Sequence, residues 1–311
     1  MLLTHPSRLM LLVGPCSIHH AGSMLSYAQR LKTLRDKVSS TCLIVLRAYI
    51  EKPRTLRGWK GFLYQPDPLQ ASDLAQGLAL TRKLFLELTD LGIPLGMEFV
   101  DPLSAYYFDD LITWGAIGAR TSSSQTHRQI ASYLPFPIGF KNTLDGNTDV
   151  PLQAMVAAAS PQTFFGLSQE GHIASMTSSG NPGTHLILRG SDTGTNYDVH
   201  SLMSVFEKQR LVYHISTPIL LDCSHGNSKK KLSMQKEIFL EVLKQTQVLN
   251  TPLLGMMLES FIKEGNQECL PQRDLDSELS ITDPCLGWDS TEELVLWAHP
   301  TPQIRIIHHL F

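Results

Sequence analysis

Short apolar runs alternate with amphipathic stretches along most of the chain. Eight runs stand out, at residues 11–17, 43–49, 94–100, 116–120, 137–142, 185–190, 219–225 and 253–259. They are nearly continuous in apolar residues, without the every-second-residue alternation of a half-exposed strand. Such runs suit strands of a parallel sheet buried on both faces. Between them the apolar positions recur with helical spacing, at 25–34, 74–91, 106–114, 125–134, 151–159, 199–211 and 232–249. Asp73 stands where a helix N-cap belongs. Gly92 followed by Pro94 is a helix stop, because glycine takes the left-handed turn and proline cannot continue the helix. Eight strand-then-helix units predict an α/β fold closed as a (β/α)8, or TIM, barrel. An open doubly wound sheet is the structural competitor. The first run is not followed by G-x-G-x-x-G, which counts against a dinucleotide-binding version of it.

One segment breaks the rhythm. Residues 164–184 carry Gly171, Gly180, Asn181, Pro182 and Gly183 around a β-prone piece at 173–178. This predicts a β-hairpin inserted before the sixth barrel strand. The alternative is a long irregular loop, which is uncommon inside a compact domain.

The length of 311 residues suits one barrel domain spanning 1–311, with an atypical tail at about 299–311. Apolar residues make up 42% of the chain and charged residues 18%, enough for a large core. A net charge of -3 argues against nucleic-acid binding, which needs a basic surface. The five cysteines, at 16, 42, 223, 269 and 285, are scattered and odd in number. They predict a reduced, cytoplasmic protein without a disulfide framework. No apolar stretch is long enough for a membrane helix. The first apolar run leads into Gly14-Pro15-Cys16 and reads as a strand, not as a signal peptide.

The second run ends in a stretch rich in cations: Arg47, Lys52, Arg54, Arg57 and Lys60, with Pro53 stiffening its middle. On its own it is equally well a solvated charged loop. The barrel changes that balance, because barrel sites lie at the carboxyl ends of the strands. Polar residues collect there at all eight runs. In order they are Cys16 to His19, Arg47, Glu98 to Asp101, Arg120, Lys141 with Asn142, Arg189, Asp222 to His225, and Glu259 with Ser260. Two chemical sets emerge. Arg47, Lys52, Arg54, Arg120, Lys141 and Arg189 suit phosphate and carboxylate groups, and six converging cations call for a highly anionic ligand or more than one. Cys16, His225, Glu259 and Asp283 form a mixed thiolate, imidazole and carboxylate set that fits Mn, Fe, Co or Zn better than Mg or Ca. That set has no local spacing signature. Taken singly, Cys16 is a buried hydrophobe, His225 a loop residue and Asp283 a turn or cap residue.

The motifs then carry a resemblance. Val13–His19 (Val-Gly-Pro-Cys-Ser-Ile-His), Glu51–Thr55 (Glu-Lys-Pro-Arg-Thr), Gly58–Gly61 (Gly-Trp-Lys-Gly), Trp114–Thr121, Gly139–Asn142, Leu188–Gly190, Asp222–Ser228, Glu264–Gln267 and Ser280–Asp283 run in order over roughly residues 10–290. The chain resembles the class I 3-deoxy-D-arabino-heptulosonate-7-phosphate (DAHP) synthases. The resemblance implies condensation of phosphoenolpyruvate with D-erythrose 4-phosphate, the first step of the shikimate pathway, with one divalent metal ion (Mn, Fe, Co or Zn). It implies that Arg47, Lys52, Ala119, Arg120, Lys141 and Arg189 hold phosphoenolpyruvate, with Glu98 completing that pocket. It implies that Arg54 and Thr55 hold the aldose phosphate, with Lys52 shared between the substrates and Pro53 fixing the spacing, and that Cys16, His225, Glu259 and Asp283 ligate the metal. Lys52, His225 and Glu98 are the candidates for moving or orienting protons and water. A homo-oligomer, dimer or tetramer, is implied as well. The sister octulosonate synthase, which uses arabinose 5-phosphate, typically carries Lys-Ala-Asn-Arg where this chain has Lys52-Pro-Arg-Thr55. A degenerate barrel kept as a regulatory partner is the reading from another class, and the full metal and cation sets argue against it.

Two departures from the family stand out. The first strand begins within about ten residues of Met1, so the N-terminal extension that regulated members carry is much shortened. That predicts weak or absent inhibition by aromatic amino acids. The apolar end, 304–311, follows His299-Pro-Thr-Pro302 and has no functional account.

Overall fold

The computed structural model describes residues 8–54, 56–248, 251–270 and 274–299. Eight parallel strands close a barrel: β1 (Leu9–Gly14), β2 (Cys42–Arg47), β3 (Leu95–Glu98), β4 (Trp114–Ile117), β5 (Ile138–Lys141), β8 (Thr184–Leu188), β9 (Ile219–Asp222) and β10 (Leu253–Glu259). They neighbour one another in chain order, and β1 closes the ring by pairing with β10 from Met10–Gly255 to Gly14–Glu259. The open-sheet alternative is excluded by this closure.

The continuous apolar runs have a simple cause. Along β1, Leu9, Leu11 and Val13 face outward into the layer beneath the helices. Met10 and Leu12 face inward, with Val45, Trp114, Ala116, Ile187, Leu220 and Met257. Both faces are dry, so neither needs polar residues. Trp114 fills much of the interior. Its indole Nε1 donates to His185 Nε2 at 3.1 Å. Gly96 on β3 makes room for it, since a Cβ there would lie 3.2 Å from the Trp114 ring and 2.6 Å from Leu12.

The helices fall close to their predicted places. They include α1 (Ala21–Val38), α2 (Leu74–Asp90), α4 (Gln125–Tyr133), α5 (Asp149–Ala159), α6 (Val199–Tyr213) and α7 (Leu232–Val248). Asp73 caps α2 by accepting from Gln76 N at 2.9 Å, and Gly92 turns the chain after it with φ of 74°. The helix expected at 106–114 is a correction. There the chain makes a 3₁₀ turn (Pro102–Ser104) and a single helical turn, α3 (Ala105–Phe108), before Trp114 opens β4. The aromatic residues that imitate a helical stripe serve two elements. Phe108 packs under α2 against Phe85, while Trp114 enters the barrel. The last helix among the described residues is α8 (Trp288–Ala298). Apart from His299, the tail at 299–311 lies outside the described residues.

The inserted hairpin is present as β6 (Gln162–Leu167) and β7 (Ile173–Ser178), antiparallel and separate from the barrel. Its strands alternate. Phe164 is buried against the Tyr133 ring, while Phe165 and Ile173 are exposed. The Gly/Asn/Pro segment after it is an anchored corner. Asn181 Nδ2 reaches the carbonyls of Ala131, Leu134 and Phe136, fixing where β8 enters the barrel.

Candidate active site

The carboxyl ends of the strands open on a cavity of about 590 Å³. Arg47, Lys52, Pro53, Arg54, Glu98, Ala119, Arg120, Lys141, Arg189, His225 and Asp283 all line it. Cys16 and Glu259 are buried next to this wall. Thr55 lies outside the described residues. The structure therefore brings together the predicted residues that it describes, drawn from all eight barrel strands or the loops after them.

Arg47 is the last residue of β2 and is 1% exposed. Its Nη2 donates to Glu259 Oε1 at 2.9 Å, its Nε donates to Pro15 O at 3.1 Å, and its guanidinium lies 3.7 Å over the Tyr49 ring. The protein thus holds Arg47 firmly from below. Lys141, at the end of β5, donates to Glu98 Oε2 at 2.5 Å. Burial alone would raise the Glu98 carboxyl, but the Lys141 ammonium outweighs it and holds the group at about 2. Arg189 is placed through its backbone. Its N–H donates to Asn142 Oδ1 at 2.8 Å, and Gly190 N–H donates to Asn196 Oδ1 at 2.7 Å. Asn196 N–H in turn donates to Asn227 Oδ1.

The Glu98–Lys141 pair has a testable pH signature. Its folded value lies below the ordinary 4.5, so its stabilisation is complete above about 4.5 and is lost as pH falls towards about 2. Glu98→Gln leaves Lys141 buried without its counter-charge, which costs about 3 kcal/mol or more at neutral pH. Urea unfolding should show that the gap between variant and wild type narrows from pH 4.5 downward.

The soft and acidic donors gather at or beyond the ends of β1 and β10. Cys16 Sγ and one carboxylate oxygen each from Glu259 and Asp283 lie within 4.8 Å of one another. Each donor has a cation at hand. Lys52 Nζ lies 2.9 Å from Cys16 Sγ, Arg47 reaches Glu259, and Lys230 Nζ lies 2.9 Å from Asp283 Oδ1. Burial and then Glu259 push the Cys16 thiol up. Burial would lower the Lys52 ammonium, but Cys16 and Glu259 raise it on balance. His225 stands slightly apart from the trio, with Nε2 3.4 Å from Glu259 Oε1. Its Nδ1 lies 2.7 Å from Asp222 Oδ2, and its φ of 52° is unusual for a non-glycine residue. Burial would raise Asp222, but His225 draws it well below the carboxylate range. Nδ1 also lies 3.0 Å from the Ser224 hydroxyl, and an imidazole held at Nδ1 by polar neighbours presents Nε2 outward, which is the usual arrangement of a metal-binding histidine. The donors therefore fit a borderline divalent ion, with three close together and the fourth beside them.

Several lining residues escaped the sequence reading. Tyr49 lies two positions beyond Arg47, and the two-residue strand period could have flagged it. Arg57 and Lys230 also face the cavity. Arg57 belongs to the cation stretch but had no assigned role. Lys230 is brought to Asp283 by consecutive left-handed residues, Lys229 and Lys230, which no residue type announces. Asn196 and Asn227 act on backbone groups and carry no charge signal.

Comparison with known proteins gives a consistent result. The model of the "DAHP synthetase I family" matches residues 4–296. The chain is 42% identical to "Phospho-2-dehydro-3-deoxyheptonate aldolase, Tyr-sensitive" of Escherichia coli strain K12, over 94% of this chain and 82% of that one. It is 41% identical to the Trp-sensitive enzyme of the same name and organism, over 93% and 82%. The solved phospho-2-dehydro-3-deoxyheptonate aldolase of Francisella tularensis SCHU S4 superposes with a TM-score of 0.91 at 38% identity. It covers 96% of this chain and 86% of that one.

Proposed function

The chain belongs to the DAHP synthetase I family, and from that premise we infer that it condenses phosphoenolpyruvate with D-erythrose 4-phosphate and water to give DAHP and phosphate. This is the first step of the shikimate pathway to the aromatic amino acids. The observation that carries the reading is the meeting of Lys52 with Cys16 at 2.9 Å on the wall of a cavity lined by cations. Two phosphorylated substrates repel each other, and a wall of Lys and Arg lets both sit in one site.

Arg120, Lys141 and Arg189, with Arg47 behind them and the Ala119 backbone beside them, hold phosphoenolpyruvate. Arg54 and Thr55 hold the aldose phosphate, and Pro53 fixes their spacing from Lys52. Lys52 stands between the two sets. Carbon 3 of phosphoenolpyruvate attacks the aldehyde carbon. Lys52 or His225 delivers a proton to the oxygen that becomes an alkoxide. Glu98 orients the water that adds to the former enol carbon. The phosphate leaves by carbon–oxygen cleavage. Cys16, His225, Glu259 and Asp283 hold one divalent ion of the Mn, Fe, Co or Zn class, which when bound supplies Lewis-acid polarisation of the aldehyde.

Residues 1–311 act as one catalytic barrel unit, and the working form is a homo-oligomer, dimer or tetramer. Among the described residues no helix is long and apolar enough to cross a membrane. A cytoplasmic setting suits the free state of all five cysteines.

The aldose tests the assignment. Lys52-Pro-Arg-Thr55 fixes the reach between the reacting carbon and the sugar phosphate. Erythrose 4-phosphate should therefore give a kcat/KM at least about tenfold above that of arabinose 5-phosphate, which is one carbon longer. Equal rates, or a preference for the longer sugar, contradict the reading.

A further inference from the structure

Glu51 has no part in the chemistry described above, yet it is 1% exposed and lines the cavity. Its Oε2 accepts two hydrogen bonds from consecutive backbone N–H groups, Val100 and Asp101, both at 2.8 Å. Its Oε1 is buried with no hydrogen-bond partner among the described residues. Burial pushes this carboxyl up to about 7, with the Asp101 N–H, the Ser104 hydroxyl and the Val100 N–H acting against the rise.

The location gives the contact its meaning. The described parts of the stretch after β2, residues 50–54 and 56–63, are cinched together. Lys52 N–H donates to Lys60 O at 2.9 Å, and Leu63 N–H donates to Ile50 O at 3.2 Å. Gly61 permits that closure. Its φ is 109°, and a Cβ there would lie 2.2 Å from Ile50 O. The exit of β3 is gripped from its other side, because His127 Nε2 lies 2.9 Å from Val100 O and Nδ1 lies 2.8 Å from the Ser124 hydroxyl. Tyr64 adds a second tie, donating to Asp101 Oδ2 at 3.1 Å. Glu51 thus fastens the cation loop to the exit of the next strand. Lys52 is its immediate neighbour, and Glu98 lies two residues before Val100. Two of the three groups with proposed roles in proton and water handling, Lys52 and Glu98, thus each lie within two residues of an end of this contact.

We propose that Glu51 is a positioning residue: by gripping the Val100 and Asp101 N–H groups it sets the placement of the aldose-phosphate loop and of Lys52 relative to Glu98. This rests on the condensation proposed above. Phosphoenolpyruvate is held mainly by Arg120, Lys141 and Arg189, from other strands, so its binding depends on Glu51 far less than placement of the aldose phosphate does.

The experiment compares wild type, Glu51→Ala and Glu51→Gln. Turnover of phosphoenolpyruvate with erythrose 4-phosphate by the wild type comes first, because its failure would sink the parent reading and leave nothing to position. With that in hand, Glu51→Ala should lower kcat/KM for erythrose 4-phosphate by about 100-fold, the cost of an ångström-scale misplacement. Calorimetry without turnover should find phosphoenolpyruvate binding close to wild type. Glu51→Gln should recover most of the loss, since its amide oxygen accepts both N–H groups and it matches the neutral acid in shape. If Glu51→Ala does not fold, Glu51→Asp, which keeps the charge but shortens the reach, reads the same split. The proposal is overturned if the alanine variant keeps kcat/KM within about twofold of wild type, well short of a tenfold, 1.4 kcal/mol effect. It is also overturned if phosphoenolpyruvate binding and Tm fall together with the rate while glutamine restores nothing.

Discussion

Lys52→Ala should lower kcat for the condensation by about 10³-fold or more while the barrel stays folded. The side chain serves twice in this account. It places a positive charge between two anionic substrates, and it is a candidate donor to the developing alkoxide, a role worth roughly 10² to 10⁴ by itself. Both functions depend on where Nζ lies, 2.9 Å from Cys16 Sγ and raised in affinity for its proton by Cys16 and Glu259. Lys52→Arg should rescue little, because a planar fork cannot replace a compact ammonium in that space. Steady-state assay of phosphate release with a parallel thermal melt separates lost chemistry from lost fold. Normal turnover by Lys52→Ala would remove this residue from the site.

Removing the metal, or its thiolate ligand, should have an effect of similar size. Chelation should abolish turnover, and adding back Mn, Fe, Co or Zn should restore it to differing degrees. Cys16→Ala removes the soft donor from a trio whose atoms lie within 4.8 Å of one another, so metal affinity should fall by more than about 100-fold. Elemental analysis after dialysis reads this without any assay. The wild type should retain about one ion per chain and the variant almost none. A variant that still retains the metal would place the site elsewhere. Arg47 and Lys230 already lie against Glu259 and Asp283, so the acidic donors are positioned by neighbours as well as by their own strands.

The fold was legible because a barrel buries both faces of its strands. Met10 and Leu12 pack inward while Leu9, Leu11 and Val13 pack outward, which leaves an unbroken apolar run to read. The hairpin was legible through its glycines and Asn181, whose side chain holds the corner after it. The misreading at 106–114 came from periodicity. Phe108 and Trp114 share a helical spacing but belong to different layers.

The site was legible in its charged members, because the barrel predicts where polar strand ends meet. Its supporting residues were not. Tyr49 beneath the Arg47 guanidinium and Asp222 behind His225 are near in sequence but carry no residue-type signal for those contacts, and Asn227 beside Asn196 joins distant segments. Glu51 is the sharpest case. In sequence it is one more charge before Lys52. In space it is buried and bound to the backbone of the next strand's exit.

The most direct test of the account is phosphate release by the purified protein, stripped of metal and then reloaded. The account predicts one phosphate released per erythrose 4-phosphate consumed, and none when the metal, the aldose or phosphoenolpyruvate is left out. Phosphate release that continues without the aldose, or no release with everything present, would contradict it.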